Sequence, residues 1–334
     1  MTVAEAAMRY WARKAQWDKY GRPRPAKDAG NIRRDLEIAA ELVGDLAVSE
    51  LTNDRQEALK RELAARPYRP DTIRRVFEML FAALNFCHKA GELDRVPPRI
   101  KLASSPPREF VATYDQLATF WDATKPPQYQ MLFVLLLATG ARPDTVLELT
   151  KFQCDVGDGF IDLNPPGRLP TDKRRAVVPM CAVVREWIAA ADPGPLVAYM
   201  GRPIEYPWQT WRRIRKAAGL PAEFTPGAMR HTVATELSRR DVPDAQISQF
   251  LGHEMPNRIT ARYAKRRPRF MPETVAALDA LFEEIAQRTK TGLSPKRVSG
   301  VLVAGRETAK SLIYGGRDRD RTCDPLGVNE VLSR

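Results

Sequence analysis

The sequence predicts a mostly α protein with a small antiparallel β-sheet, divided into two domains. Apolar residues recur at helical spacing through most of the chain. Two short alternating runs flank "GDG", which is typical of a β-hairpin. Four prolines and no periodicity mark residues 95–110 as a connection. We therefore expect a helical domain over 1–98, a linker over 99–110, a second domain over 111–288 and a flexible tail over 289–334.

The first domain is predicted to be helical. Residues 1–20 are expected to form a helix, 20–30 a loop rich in proline and glycine, and a second helix follows. The clearest apolar periodicity lies in "RPYRPDTIRRVFEMLFAALNFCHKAGEL", where steps of three and four residues mark one buried stripe. Asp71 is its predicted N-cap. Gly91 is its predicted end.

The second domain is predicted to surround one buried helix. "YQMLFVLLLATG" is apolar on nearly all sides and ends at Gly140. Arg142 then precedes Pro143, and a proline in the first turn favours a new helix. Arg142 is therefore expected in a tight joint between two packed helices. "RRAVVPM" (174–180) is a predicted third strand. "PWQTWRRIRKAAGL" returns to helix, and helix is expected to continue with brief breaks to about residue 288.

Composition favours a polyanionic partner, most commonly a nucleic acid. The 334 residues carry a formal net charge of +12, and the pI is about 9.7. Four scattered cysteines and three histidines argue against a disulfide framework or a histidine-rich metal site. The longest apolar run, 131–138, is too short to cross a bilayer, and the N-terminus lacks a signal peptide. These features predict a cytoplasmic protein.

An arginine, a histidine and a tyrosine follow one another in the last third of the chain. Thr225 is a predicted N-cap, which places Arg230 in the second turn of a helix. Gly252 suits the left-handed position after a helix, so His253 emerges from that turn. Tyr263 comes ten residues later. It is surrounded in sequence by five cations, Arg258, Arg262, Lys265, Arg266 and Arg267.

Phosphodiester chemistry explains why these residue types would be combined. Attack on phosphorus places negative charge on the non-bridging oxygens, and paired guanidinium groups can hold that charge. Histidine adds a donor. Tyrosine has a pKa of about 10, so it needs cationic neighbours to attack as a phenolate. Singly, a surface arginine, a Gly-His turn or a packed tyrosine would be ordinary, but their joint order favours the chemical interpretation.

The ordered motifs resemble those of the tyrosine recombinase (phage integrase) family. The matching segments are "ATGARPDTVLEL", "TPGAMRHTVATEL", "LGH" and "RY", and the resemblance covers roughly residues 105–285. The N-terminal half is similar, less specifically, to the core-binding domain of that family. The resemblance implies that Arg142 and Arg230 clamp the scissile phosphate, that His253 lies in the phosphate pocket and that Tyr263 is the nucleophile. It implies neither a metal nor a cofactor.

The resemblance also implies a basic general acid on the β-hairpin. "TDKRRAVVPM" resembles that segment, and Lys173 is the candidate because it lies on the loop that enters the third strand. Arg174 and Arg175 adjoin it, so the register can differ by one residue. A solvated charged turn is an equal alternative.

Two positions depart from the family pattern. Gly227 stands three residues before Arg230, where the family usually has a histidine on the same helix face. His231 does not replace it, because neighbouring helical residues point about 100° apart. Thr145 stands where an acidic residue often supports the first arginine. We expect activity to survive, at an equal or a reduced rate.

Basic residues outside the site are predicted to contact DNA phosphates, and two basic domains joined by a linker would then bind DNA from two sides. In "WQTWRRIRK" the tryptophans are expected in the core, and the cations are expected to contact phosphates. The alternative for these cations is an ordinary charged helix face. The predicted contacts are Arg74, Arg75, Arg212, Arg213, Arg215, Lys216 and Arg262.

Taken together, the resemblance implies a site-specific recombinase that breaks and rejoins DNA through a 3′-phosphotyrosine without metal or ATP. The implied partners are double-stranded recombination sites, further copies of the chain forming a tetramer at synapsis, and accessory DNA-bending proteins. The expected location is the cytoplasm, at the nucleoid. The amphipathic segment 272–286 either closes its own domain or docks on a neighbouring subunit.

Three alternatives remain for the function. Gly227 favours a DNA-binding relative with impaired catalysis. A type IB topoisomerase would share the chemistry but relax DNA without pairing two sites. A non-enzymatic helical binding protein accounts for the fewest of the motifs.

Overall fold

The computed structural model describes five segments of the chain, residues 1–18, 20–106, 109–168, 174–253 and 271–295. They belong to two compact units, an N-terminal one that ends at residue 106 and a C-terminal one that begins at residue 109. Within these segments, no helix has the length and apolar character needed to cross a membrane.

The N-terminal unit is helical, as predicted. Its α-helices within the described residues are α1 (Val3–Tyr10), α2 (Ala26–Val43), α3 (Asn53–Ala65) and α4 (Pro70–Lys89). A π-helical turn, Trp11–Ala15, continues α1, and a 3₁₀ turn, Val48–Glu50, precedes α3.

Two helix starts differ from the predictions. Helix α2 begins at Ala26, inside the segment 20–30 that was expected to be a loop. Helix α4 begins at Pro70 with Arg69 in the N-cap position, so Asp71 is not the cap. A proline fixes the backbone for the first helical residue, and this preference outweighs the capping preference of the following aspartate. Asp71 instead accepts the backbone N–H of Ser105 at 3.2 Å.

The predicted apolar stripe of α4 forms the core of the N-terminal unit and packs against α1 and α2. Across this packing, the buried carboxylate of Asp35 on α2 accepts two hydrogen bonds from Arg75, at 2.5 and 3.1 Å. This ion pair joins α2 to α4. The stripe residues that are buried are Ile73, Val76, Phe77, Leu80, Phe81 and Leu84.

The C-terminal unit is also mainly helical. Its described α-helices are α5 (Tyr114–Ala123), α6 (Pro127–Thr139), α7 (Pro143–Leu147), α8 (Ala182–Ala190), α9 (Trp208–Ala217), α10 (Pro226–Arg239), α11 (Asp244–Phe250) and α12 (Pro272–Ala286). Its described strands are β1 (Cys154–Asp155), β2 (Phe160–Asp162), β3 (Val177–Pro179), β4 (Ala198–Tyr199) and β5 (Arg202–Pro203). A 3₁₀ turn, Lys151–Gln153, precedes β1.

The small antiparallel sheet is confirmed. Its order is β1-β2-β3, and both pairs are antiparallel, with Ile161 opposite Cys154 on one side and Val178 on the other. A second antiparallel pair, β4-β5, was not predicted. Helix α8 was not predicted as a separate element either. The predicted fold class, mostly α with a small antiparallel sheet, is therefore confirmed.

Helix α6 forms the centre of the C-terminal unit. All of residues 131–139 are buried, as their apolar character predicted. The helix ends at Gly140, whose φ of +55° is left-handed backbone that favours glycine. Helices α7, α8 and α10 pack against α6. The chain segments on either side of Arg142 are thus fixed by the core.

Helix α12 closes its own unit, which was one of the two alternatives for this segment. Its apolar face is buried against α5, α8, α10 and α11. The buried residues of this face include Ala277, Leu278, Leu281, Phe282 and Ile285.

Packing continues into the predicted linker and tail. Ile100, within the predicted linker, donates its backbone N–H to the side chain of Gln56 at 3.0 Å. Beyond residue 288, the indole N–H of Trp121 donates to the carbonyl of Gly292 at 2.8 Å. The indole of Trp187 donates to the Leu293 carbonyl at 2.6 Å. The rest of the predicted tail lies outside the described residues.

Candidate phosphate-binding site

Arg142 occupies the predicted joint between α6 and α7. It is the N-cap residue of α7, with extended backbone, and Pro143 follows as the first helical residue. Its side chain is partly exposed. Its Nη1 donates to the carbonyl of Arg174 at 3.5 Å, a weak hydrogen bond. The backbone of Arg142 is thus fixed. Within the described part of the chain, its guanidinium still has N–H groups that can bind a ligand.

Arg230 is held more tightly. Thr225 caps α10 by accepting the N–H of Ala228 at 3.3 Å, as predicted, and this places Arg230 in the second turn. The guanidinium donates from Nη1 to the Gly140 carbonyl at 2.9 Å and from Nη2 to the Leu251 carbonyl at 2.7 Å. Arg230 therefore joins the residues that follow α6 and α11.

His253 completes the group. Gly252 has the predicted left-handed backbone, with φ of +71°, and a Cβ there would lie 3.2 Å from the Arg174 carbonyl oxygen. His253 is exposed, and its Nε2 lies 3.1 Å from Nη2 of Arg230. Because a guanidinium can only donate, Nε2 accepts in this arrangement and the imidazole proton is on Nδ1.

The site is cationic and only partly solvated. Burial, and secondly the charge of Arg142, lower the pKa of Arg230 to about 10. The His253 residue is exposed as a whole, but partial desolvation of its imidazole, followed by the charges of Arg230 and Arg142, lowers its pKa. Within the described residues, neither arginine forms an ion pair with a carboxylate. Uncompensated positive charge on fixed donors is what an anion site requires.

The two departures from the family pattern are visible in the geometry. A Cβ added at Gly227 would meet only Thr225 Oγ1, at 3.8 Å, so the position is open. Thr145 is buried and donates its backbone N–H to the Arg142 carbonyl at 2.9 Å, so it supports the backbone and supplies no charge. His231 is exposed.

The two described arginines that lead into β3 lie in different environments. Arg174 is exposed, whereas Arg175 is nearly buried and forms an ion pair with Glu148 at 2.8 Å. This ion pair was not foreseen, because the two residues are far apart in sequence. Three predicted site residues, Lys173, Tyr263 and Arg262, lie outside the described residues.

The predicted DNA contacts outside the site have mixed surroundings. On α9, Trp211 is buried and Trp208 packs against the core, as expected, while Arg212, Arg213 and Lys216 are exposed. Several of the predicted contacts, exposed or not, have partners within the protein. These are Arg213 with Thr210, Arg215 with the Leu220 carbonyl, Arg74 with Asp71 and Glu78, and Arg75 with Asp35.

Comparisons with solved structures identify the fold. The integrase of transposon Tn1549, in complex with transposon right-end DNA, superposes with a TM-score of 0.62 at 17% identity, over 86% of this chain and all of that one. A lambda integrase dimer bound to a COC′ core site gives 0.61 at 16% identity, over 80% and 78%. A lambda integrase tetramer bound to a Holliday junction gives 0.61 at 15% identity, over 77% and 79%.

Sequence comparisons add the family. A search among curated proteins finds no match. The family model described as the phage integrase family matches residues 111–269, a range that includes Arg142, Arg230, His253 and Tyr263. Over residues 111–269, the chain carries a domain of the phage integrase family, whose members are tyrosine recombinases.

Proposed function

We propose that this chain is an integrase-type site-specific DNA recombinase that uses a 3′-phosphotyrosine intermediate and needs neither metal nor ATP. One observation carries the proposal. Arg142, Arg230 and His253 come from three separate parts of the sequence, yet they form one cationic site in which the described residues place no carboxylate against the arginines.

The two arginines would bind the non-bridging oxygens of the scissile phosphate. Arg230 is supported for this role by its two backbone carbonyl partners, which hold its guanidinium in place before DNA arrives. Donors that are already oriented stabilise developing negative charge without reorganisation during the reaction. Arg142 retains donors for the same phosphate and approaches it from the α6–α7 joint.

His253 would act as a third donor. In the described arrangement its Nε2 accepts from Arg230, so Nδ1–H is the donor that remains. A bound phosphate carries negative charge, which favours the protonated imidazole. It therefore raises the pKa of His253, against the lowering effect of the two arginines. Both ring nitrogens of a protonated His253 could then donate.

Tyr263 would be the nucleophile. The phenol loses its proton to solvent, the resulting phenolate oxygen forms a bond to phosphorus, and the bond from phosphorus to the 5′ oxygen of the next nucleotide breaks. Lys173 would give its proton to that leaving oxygen. The phosphotyrosine retains the energy of the phosphodiester, so the 5′ hydroxyl of another strand can reverse the reaction and release Tyr263.

We further propose double-stranded DNA as the partner, with the exposed cations of α9 among its phosphate contacts. The net charge of +12 supports this partner. The integrases with the same fold are bound to DNA, and one of them is a tetramer on a Holliday junction. A tetramer at synapsis, acting at the nucleoid, is the corresponding proposal for this chain.

A two-site plasmid assay tests this function. A supercoiled plasmid carrying two copies of the DNA that flanks this gene is incubated with the wild-type chain or with Tyr263→Phe. The proposal expects recombinant circles with the wild type only, while both proteins bind the sites. Relaxation without recombinants would favour the topoisomerase alternative. Binding without any strand cleavage would favour the catalytically impaired relative.

A further inference from the structure

The short helix α7 has a charged residue at each end. Arg142 is its N-cap residue and Glu148 its C-cap residue. Glu148 forms an ion pair with Arg175, with 2.8 Å between Oε2 and Nη2, and the Arg175 side chain is only 10% exposed. This ion pair fixes the end of α7 opposite Arg142 to the segment that leads into β3.

That segment, residues 174–176, touches both other parts of the phosphate site. The Arg174 carbonyl accepts from Arg142 Nη1, and the same oxygen is the nearest atom to a Cβ built at Gly252, at 3.2 Å. The Ala176 carbonyl accepts the Leu163 N–H at 3.1 Å, which continues the β2–β3 pairing. Residues 174–176 therefore lie between Arg142 and the turn that presents His253.

Stability alone does not account for this ion pair. Nη1 of Arg175 is buried and has no hydrogen-bond partner, which is unfavourable. A buried ion pair can often be replaced by apolar residues without loss of stability. Position 145, in the first turn of α7, is a threonine and supplies no charge, whereas Glu148, the C-cap residue, pairs with Arg175 of the hairpin.

We propose that Glu148 and Arg175 are positioning residues for DNA cleavage. They hold residues 174–176 against α7, and the Arg174 carbonyl in turn sets the position of Arg142 relative to the turn at Gly252. The inference rests on the proposed recombinase function. It also assigns Arg175 to Glu148, and not to the leaving oxygen of DNA.

The test compares single-turnover cleavage of a nicked DNA substrate with DNA affinity and thermal unfolding. The main variant is Glu148→Gln/Arg175→Met, which removes both charges together and leaves no unpaired buried cation. We expect cleavage to slow by about 10-fold or more, because small misplacement of reacting groups is costly. The DNA Kd should stay within about twofold of wild type, because neither residue is assigned to DNA contact.

Two further variants separate positioning from folding. Glu284→Gln removes one partner of the Arg288–Glu284 ion pair on α12, at 2.7 Å, and serves as the matched control with wild-type cleavage. Arg175→Lys keeps the charge near Glu148 and should recover part of the cleavage rate.

The outcomes are distinguishable. If the wild-type chain cleaves DNA and the double variant cleaves at the same rate, the inference is overturned and the proposed function stands. Parallel losses of melting temperature, DNA affinity and cleavage would also overturn it, since they indicate a folding defect. If the wild-type chain itself cleaves no DNA, the proposed function fails and the inference fails with it.

Discussion

Arg230 donates a hydrogen bond from Nη2 to Nε2 of His253 over 3.1 Å, although 23 positions separate the two residues in the sequence. The same guanidinium also binds the carbonyls that follow α6 and α11. Arg230 therefore has two functions in the structure. It brings positive charge to the site, and it fixes the backbone on which Arg142 and His253 are mounted.

Replacing Arg230 by lysine should affect both functions. An ammonium group cannot reproduce the planar fork that reaches two carbonyls and a phosphate. We expect single-turnover cleavage to fall by at least about 100-fold, the usual cost of losing an oriented donor to developing charge. The free energy of unfolding should fall by about 1–3 kcal/mol, because a buried carbonyl loses its donor.

Arg239→Lys is the matched control for this prediction, because Arg239 lies exposed on the same helix. Chemical denaturation and cleavage assays of both variants check the result. Equal behaviour of the two variants would show that the Arg230 contacts have no role in catalysis.

His253 should make stability depend on pH in a defined direction. Its pKa is lowered from 6.5, first by burial and then by Arg230 and Arg142. The unfolded chain therefore takes up this proton at a higher pH than the folded chain. Stability is highest above pH 6.5 and decreases as the pH falls through that value towards the lower folded-state pKa.

The measurement is thermal unfolding between about pH 8 and pH 5 for wild type and His253→Gln. The variant should lose less stability on acidification, because glutamine does not titrate. If both proteins respond to pH identically, the imidazole is not in the cationic surroundings that the structure gives it.

Gly227→His should increase cleavage. The position lies on α10 one turn before Arg230, and an added Cβ meets nothing closer than 3.8 Å. A histidine there would therefore fit and would add a donor beside the phosphate site. Gly227→Ala adds the Cβ alone and is the control for backbone effects. A cleavage rate in Gly227→His below that of Gly227→Ala would contradict the expected open space.

Residues 289–295 should be required for stability, although they were predicted to begin a flexible tail. A chain ending at residue 288 loses the acceptors of both indole hydrogen bonds and the buried Leu293 side chain. We expect its melting temperature to be lower, by at least about 5 °C, than that of a chain ending at residue 295. Equal melting temperatures would show that this packing contributes nothing.

Local signals in the sequence predicted much of the site. The N-cap at Thr225, the helix start at Pro143 and the left-handed glycines 140 and 252 are properties of a few neighbouring residues. Their positions along the chain determine where Arg142, Arg230 and His253 emerge. For this reason the sequence could place these three side chains at helix ends that the fold brings together.

Long-range partners could not be predicted in this way. The Glu148–Arg175 and Asp35–Arg75 ion pairs join elements whose packing depends on the whole fold. The sequence predicted Arg75 as a DNA contact, because helical periodicity carries no information that α2 brings a buried carboxylate to it. The acceptors of Arg230 are backbone carbonyls, which residue types do not reveal.

The most direct test of the account is to trap the covalent intermediate and map it. A DNA duplex with a nick close to the cleavage site releases a short fragment after attack, so religation cannot occur. Digestion and mass spectrometry of the trapped complex should locate the DNA on Tyr263, and Tyr263→Phe should give no complex. A covalent bond to any other residue, or strand cleavage without a protein–DNA bond, would contradict the proposed mechanism.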